Sequence, residues 1–243
     1  MSDRFYCPVS PVDDRAVLEG DEARHLARVR RVAPGAIVEI FDGRGSVFRA
    51  EVSSLGRDRV ELRILGREVS GRLPACRLTL ASAVPKGDRF DWLVEKATEL
   101  GVARLIPLVT DRSVVDPRSA KLDRLRRLVI EAAKQCNRDR LMDLETQMNW
   151  SDLLGSVQDE IKLVAHPGGS PLAGVEGIRG SSITLAIGPE GGLTDAEVSR
   201  AVEKGWRVVD LGPTLLRVET AGLAGCSTIL AMAEVDRTKR EVG

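Results

Sequence analysis

Aromatic residues, cysteine and histidine are all scarce in this chain, there is no net charge, and each scarcity removes a class of function. Eight aromatics among 243 residues leave little surface for base stacking, so recognition of a nucleic acid would rest on shape and phosphate contacts. Cys7, Cys76, Cys136 and Cys226 stand far apart without a C-x-x-C pair, and the histidines are His25 and His166 alone. That pattern is neither a metal site nor a disulfide framework. Formal charges balance at 36 against 36, so no global field advertises a polyanion. The cations are 29 Arg and 7 Lys; arginine's flat fork suits phosphate and carboxylate, although a GC-rich coding sequence produces the same bias. The opening "MSDRFYCPVS" lacks a signal-peptide pattern, and no run of about 18 apolar residues occurs. The expectation is a cytoplasmic protein with reduced thiols, no membrane span and no metal.

What is present divides into two parts. From Ala36 to Leu65 apolar residues alternate through "AIVEIF", "VFRAEVSS" and "RVELRIL", punctuated by "DGRG" and "LGRD", which predicts an antiparallel meander. The preceding "DEARHLARVRRV" reads as a short helix with Leu26 and Val29 inward and Arg24, Arg28, Arg30 and Arg31 outward. A linker is expected at "EVSGRLPA", residues 68–75. Beyond it strands alternate with helices: strands at "RLTLASAV", "VARLIPLVT", "IKLVAH", "ITLAIG" and "WRVVDLG"; helices capped by Asp88 and closed by Gly101, from about Pro117 to Cys136, from Thr194 to Lys204, and from Glu219 to about Val235. Such alternation implies a mostly parallel sheet with ligands at the carboxyl ends of its strands. The expected boundaries are 1–72 for a small β domain and 73–243 for an α/β domain.

Two loops stand out. "LAIGPEGGLTD" breaks a strand into Gly188-Pro189-Glu190-Gly191-Gly192 before a capping box at Thr194 and Glu197. "DLGPTLLRVETAG" leaves another strand through Gly212-Pro213 and carries Arg217, Glu219 and Thr220 into the next helix. Neither contains G-x-x-x-x-G-K-[ST] or G-x-G-x-x-G, and Glu190 would repel an anion, so a phosphate cradle is excluded. Each loop alone reads as an ordinary tight turn. Two together, each with a carboxylate, read as a site for a neutral or cationic ligand.

"IGPEGG", "LGPTLLRVETA", "VEKATELGV", "DRSVV" and "EAAKQCNR", in this order and with "HLARVRR" near the start, resemble the RsmE family of the SPOUT superfamily, bacterial methyltransferases acting on N3 of a uridine in 16S rRNA of the small ribosomal subunit. The resemblance implies an N-terminal PUA-like small β-barrel domain that binds RNA, a C-terminal SPOUT α/β domain with a trefoil knot, S-adenosyl-L-methionine as cofactor, and a homodimer. The chain departs from the family pattern at Val218, where Thr is usual, and at Met142, where Pro is frequent.

For the cofactor the resemblance points to Leu163, Ala165 and His166 at a strand end, to Gly188, Pro189, Glu190 and Gly191, and to Leu211, Gly212, Leu215, Leu216, Arg217, Thr220 and Ala221. His166 reads equally as a surface histidine. Removal of the uridine N3 proton leaves charge on two carbonyl oxygens, and Arg217 is the expected donor to them or grip on a neighbouring phosphate. The alternative is a structural arginine paired with Glu219. Glu190 and Glu219 are expected to organise the loops and are the weaker candidates for the base. RNA contacts are expected at Arg24, His25, Arg28, Arg30 and Arg31, at Lys86, and at Arg112, Arg138 and Arg140. Residues 112–140 hold nine Lys or Arg against four Asp or Glu, a local excess of five that the global balance conceals. Arg124, Arg126 and Arg127 read as a solvated helix face, and the segment with Glu95 and Lys96 as scaffold.

Overall fold

The computed structural model describes residues 4–29, 32–69, 73–114 and 122–241, which fall into two compact units. The first is Met1–Leu73 with Ala133–Leu141; the second is Pro74–Ala132 with Met142–Gly243.

In the first unit β1 (Arg4–Tyr6), β2 (Arg15–Glu19), β3 (Ile37–Phe41), β4 (Ser46–Leu55) and β5 (Arg59–Val69) form one sheet in the order β1-β3-β4-β5-β2. The meander β3-β4-β5 is antiparallel, as the alternation predicts. Register shifts between Arg49 and Ala50 and between Val52 and Ser54 add local twist to the long β4-β5 ribbon. Strands β1 and β2 are additions to the sequence reading, since five residues or fewer carry too little alternation to register. Glu68 and Val69 belong to β5, so the expected linker starts two residues too early. Phe5, Leu18, Leu26, Ile40, Val60 and Leu62 fill the core. Helix α1 (Gly20–Arg24) runs into a wider turn, His25–Val29, with Leu26 buried as the pattern requires. Segment 133–141 is tied to this unit by charge. Lys134 Nζ donates to Glu22 Oε1 at 2.9 Å, while Glu22 Oε2 accepts the Tyr6 amide at 3.0 Å. Buried Arg4 pairs with Asp139 and, at 3.4 Å, with Glu39, and lies 4.4 Å over the Phe41 ring.

The second unit contains β6 (Arg77–Ala83), α2 (Arg89–Leu100), β7 (Arg104–Val109), most of α3 (Leu122–Gln135), β8 (Asp143–Leu144), β9 (Met148–Asn149), α4 (Trp150–Ser156), β10 (Ile161–Pro171), β11 (Ser182–Ile187), α5 (Asp195–Glu203), β12 (Arg207–Asp210) and α6 (Val218–Glu241). The sheet order is β12-β10-β11-β6-β7-β8, every pairing is parallel, and β9 also pairs with β7. Strands such as β6 and β11 are buried on both faces, which is why they read as continuous apolar runs. Helix α3 is described from Leu122; residues 117–121 of the expected helix lie outside the described residues. Met142 is buried beside the Thr98 hydroxyl.

Helix α6 holds an 18-residue window, Val218–Val235, of mean hydropathy 1.2. By length and composition it could cross a membrane, but half of the window is buried, and the helix packs on α2, β6 and β11. Leu80 and Leu93 reach Gly222, and Leu185 reaches Gly225.

Helix ends are only partly as expected. Gly101, at φ 98°, closes α2 in the left-handed conformation. Asp88 occupies the cap position but makes no cap hydrogen bond, because at φ −83° and ψ 3° it lacks the extended backbone that aims a cap oxygen at the first amides. Lys96 does meet Glu95 despite their adjacency in the helix: its flexible stem brings Nζ to Glu95 at 2.8 Å and to Glu99 at 2.7 Å.

The capping box of α5 is complete, and its glutamate does more than cap. Glu197 Oε2 accepts the Thr194 amide at 2.8 Å, Thr194 Oγ1 accepts the Glu197 amide at 3.2 Å, and Glu197 Oε1 accepts the Asp111 amide at 2.9 Å. The glutamate is buried, so its carboxylate substitutes for water on two loop amides. Glu197→Ala strands both amides and is expected to cost about 2–3 kcal/mol in denaturant unfolding, with Glu197→Gln costing less. A loss below about 0.5 kcal/mol, the range of neutral surface changes, would remove this role from Glu197.

Candidate active site at the carboxyl edge of the parallel sheet

Parallel pairing puts the carboxyl ends of β6, β7, β10, β11 and β12 at one edge, and three loops gather there. The first lies within a strand. Ala165 and Ser170 of β10 both align with Val209 of β12, so His166-Pro167-Gly168-Gly169 is extruded between them. The strand end expected at His166 is therefore an excursion in an 11-residue strand. Gly168 has φ 83°, and a Cβ on Gly169 would lie 2.7 Å from the Val209 carbonyl carbon, so the strand returns to its neighbour only with glycine at 169.

The second loop follows β11. The Gly192 amide donates to the Pro189 carbonyl at 2.8 Å, and Gly192 has φ 71°. A Cβ on Gly188 would come within 2.9 Å of Leu193 Cγ. Glu190 projects from this turn, its side chain 49 % exposed, and accepts from Arg89 Nη1 at 2.9 Å. Arg112, after β7, donates to the Gly191 carbonyl at 2.7 Å.

The third loop follows β12 and is set by Asp210. Its Oδ1 accepts the Gly212 amide at 2.9 Å and its Oδ2 the Gly168 amide at 3.0 Å, so one carboxylate joins the first loop to the third. Those bonds, with Gly212 first and Gly168 next, hold its carboxyl below the usual aspartate range. Beyond it Leu215 is 89 % exposed and Arg217 is exposed. The Arg217 carbonyl accepts the Ala221 amide at 2.8 Å as α6 begins.

Glu219, in the first turn of α6, is buried, and its side chain is 8 % exposed. Its Oε1 lies 4.0 Å from Arg89 Nε, and its Oε2 has no hydrogen-bond partner. The expected alternative of an Arg217–Glu219 pair is corrected here: Arg217 points to solvent and the cation beside Glu219 is Arg89, which the helix reading had assigned to scaffold. The signal that could have found it is positional, since the first residue of a helix leaving β6 stands at the ligand edge of a parallel sheet.

The remaining expected residues are dispersed. Leu163 is fully buried, so only its backbone could meet a ligand, whereas Ala165 and His166 are half-buried. His166 Nδ1 lies 2.8 Å from the Pro167 carbonyl. Gly212 and Thr220 are exposed and Ala221 is buried. Lys86 is exposed in the connection from β6 to α2, at the same edge as Arg112. In the first unit Arg24 pairs with Asp21 and, at 2.9 Å, with Asp58, while His25 packs edge-on against Phe5. The guanidinium of Arg140 lies against Gly45, and the Arg138 carbonyl accepts from Arg4. Arg30 and Arg31 lie outside the described residues, and Arg28 is described in its backbone alone. Burial pushes the Cys76 thiol up to about 11 and raises Cys7 and Cys226 as well, so none of the three is a thiolate nucleophile at neutral pH.

Because the folded Asp210 carboxyl titrates below its unfolded counterpart, its contribution is complete above the ordinary aspartate range and is lost as pH falls through the lower folded value. Amide hydrogen exchange at Gly168 and Gly212, corrected for intrinsic rates, is expected to accelerate together in Asp210→Ala at neutral pH, and together in the parent protein only on acidification below about pH 4. Independent behaviour of the two amides would mean that Asp210 does not join the loops.

Known proteins match both units. Residues 72–230 match the RNA methyltransferase domain family and residues 18–65 the RNA methyltransferase PUA domain family. Ribosomal RNA small subunit methyltransferase E of Bacillus subtilis is 33 % identical over 233 residues, covering 90 % of this chain and 91 % of its own. The protein of that name from Synechocystis is 33 % identical over 93 % of this chain and 76 % of its own. The crystal structure of ribosomal RNA small subunit methyltransferase E from Neisseria gonorrhoeae, bound to S-adenosyl methionine, superimposes with a TM-score of 0.88 at 29 % identity over 96 % of this chain and 98 % of the other. The chain belongs to the ribosomal RNA small subunit methyltransferase E family, with a PUA domain preceding an RNA methyltransferase domain.

Proposed function

We propose that the chain is an S-adenosylmethionine-dependent methyltransferase that methylates N3 of one uridine in 16S rRNA of the small ribosomal subunit, acting in the cytoplasm as a homodimer. The supporting observation is the pair of carboxylates, Glu190 and Glu219, on either side of Arg89 at the edge where two glycine loops open. S-adenosylmethionine carries a sulfonium cation and no phosphate, and the loops fit such a group. A Cβ on Gly212 would meet nothing within 4 Å, and both loops carry negative side chains. When bound, the cofactor supplies an electrophilic methyl group. The same reading gives the second unit its trefoil knot, and gives residues 1–72 and 73–243 the roles of RNA-binding and catalytic domain.

In this reading the backbone of the three loops holds the cofactor, from Leu163 to His166, from Gly188 to Gly191 and from Leu211 to Ala221. Alignment of methyl, sulfur and attacking nitrogen contributes several kcal/mol, roughly 7 to 11 in favourable systems. Among the described residues no ion pair holds the Arg217 guanidinium, which leaves it available to the uracil carbonyl oxygens or to a phosphate. Lys86 and Arg112 at the same edge, and Arg24, His25, Arg28, Arg30, Arg31, Arg138 and Arg140, are assigned to RNA. Val218 is buried at the start of α6 and brings no hydroxyl to the loop where the family usually carries one.

Calorimetric titration with S-adenosylmethionine tests the site. Gly191 accepts a side chain without backbone strain, because its Cβ would make ordinary 3.5 Å contacts with Arg112. Gly191→Arg is therefore expected to fold and to lose at least about tenfold in affinity, one strong contact's worth. Mass analysis of nucleosides then identifies the product: 3-methyluridine supports the reading, a 2′-O-methyl nucleoside points to the other chemistry of the superfamily, and no cofactor binding with RNA present leaves a non-catalytic RNA-binding protein. Arg217→Ala is expected to lose turnover on the order of 10²-fold, as for other oxyanion donors. Full turnover of Arg217→Lys with normal RNA binding would deny the guanidinium a specific part.

A further inference from the structure

Other carboxylates at this edge are filled: buried Glu197 by two loop amides, and the more open Asp210 by the amides of Gly168 and Gly212. Glu219 differs. Its side chain is 8 % exposed, one oxygen stands at 4.0 Å from Arg89, and the other has no partner. A carboxylate without a donor in a desolvated position is costly, and such a group calls for a donor that arrives from outside the protein. Glu190 cannot take the same part, because it is half exposed and already engaged by Arg89 at 2.9 Å. Arg89 thus spans an exposed carboxylate and a buried one, and fixes one side of each.

We propose that Glu219 accepts the N3 proton of the target uracil through Oε2, and that Arg89 is the positioning residue that orients this carboxylate. The inference rests on the methyltransferase reading above. An imide N–H is a single, flat, weakly acidic donor, un-ionised at neutral pH, and suits a lone buried acceptor. In the step, the N3–H bond breaks and its proton passes to Oε2. The electron pair left on N3 forms the new nitrogen–carbon bond, and the pair of the broken carbon–sulfur bond stays on sulfur. Among the described residues the one cation paired with Glu219 is Arg89 of α2, which also holds Glu190; further along α6, Leu80, Leu93 and Leu185 pack at Gly222 and Gly225.

The test uses the full chain with S-adenosylmethionine and small-subunit RNA, and reads cofactor affinity by calorimetry and single-turnover methylation against pH. At saturating cofactor, Glu219→Gln is expected to lose turnover on the order of 10²–10⁴-fold at neutral pH, the usual share of a general base. It should recover as pH rises, or with 5-fluorouridine at the target position, because either change ionises the imide without a base. In Arg89→Met the single-turnover rate at saturating cofactor and RNA should fall with RNA affinity held, and Arg89→Lys should restore part of it; a merely structural arginine would show no such rescue. Unchanged turnover of Glu219→Gln at saturating cofactor would overturn the proposal, as would a loss that rising pH does not recover. Should Glu219→Gln fail to fold, full single-turnover rate in a folded Arg89→Met decides against it. A parent protein that neither binds cofactor nor methylates RNA would sink the methyltransferase reading itself, and this proposal with it.

Discussion

Parallel pairing of β12, β10, β11, β6 and β7 is the constraint on which the site depends, because it delivers five strand ends to one edge. Residues 79 and 101 positions apart meet there as a consequence. Arg89 leaves β6 and reaches Glu190 after β11; Arg112 leaves β7 and reaches the carbonyl of Gly191. The edge has almost no regular structure of its own, so its backbone amides must find partners outside a ladder. Carboxylates supply them. Asp210 takes amides from two loops, Glu197 takes amides from two more segments, and the first unit repeats the device with Glu22, which accepts the Tyr6 amide while binding Lys134.

This division of labour separates structural acids from a chemical one. A carboxylate whose two oxygens each hold a backbone amide is fixed in place and turned toward the loops it joins. Glu219 has the burial of a structural acid without the partners of one. Its position in the first turn of α6 is favourable to a negative charge, since unpaired amides there carry partial positive charge. The helix terminus and Arg89 therefore both face this carboxylate from one side and leave its second oxygen unsaturated.

Much of this could be read from the sequence, because the signals are local. The alternation in "AIVEIF" and "VFRAEVSS" marks β3 and β4, and Thr194 with Glu197 marks the start of α5. What escaped is set by tertiary contact. Strand β1 has three residues and exists because β3 is there to pair with. The excursion at His166 to Gly169 is visible as Pro-Gly-Gly, but that the strand resumes beyond it depends on Val209 of a distant strand. Segment 133–141 continues a helix begun in the second unit yet groups with the first, through Lys134 and Asp139, which no linear division at a linker can express. Arg89 looked like part of an amphipathic helix because its two partners lie 101 and 130 positions away.

The arithmetic of charge needs the same correction. A surplus of arginine in the sequence is not a surplus of free positive charge: Arg24, Arg59 and Arg63 of the first unit each pair with acidic neighbours. Exposed pairs of this kind are worth about 0–1 kcal/mol, so an RNA phosphate can displace a carboxylate from Arg24 at little cost. Arg4 is different, because its ion pair with Asp139 is buried and breaking it would leave a charge uncompensated in the interior. Arginines that count alike in composition thus separate into those whose pairs are exposed and exchangeable and those the fold retains, and burial of the pair, rather than proximity to a motif, draws the line.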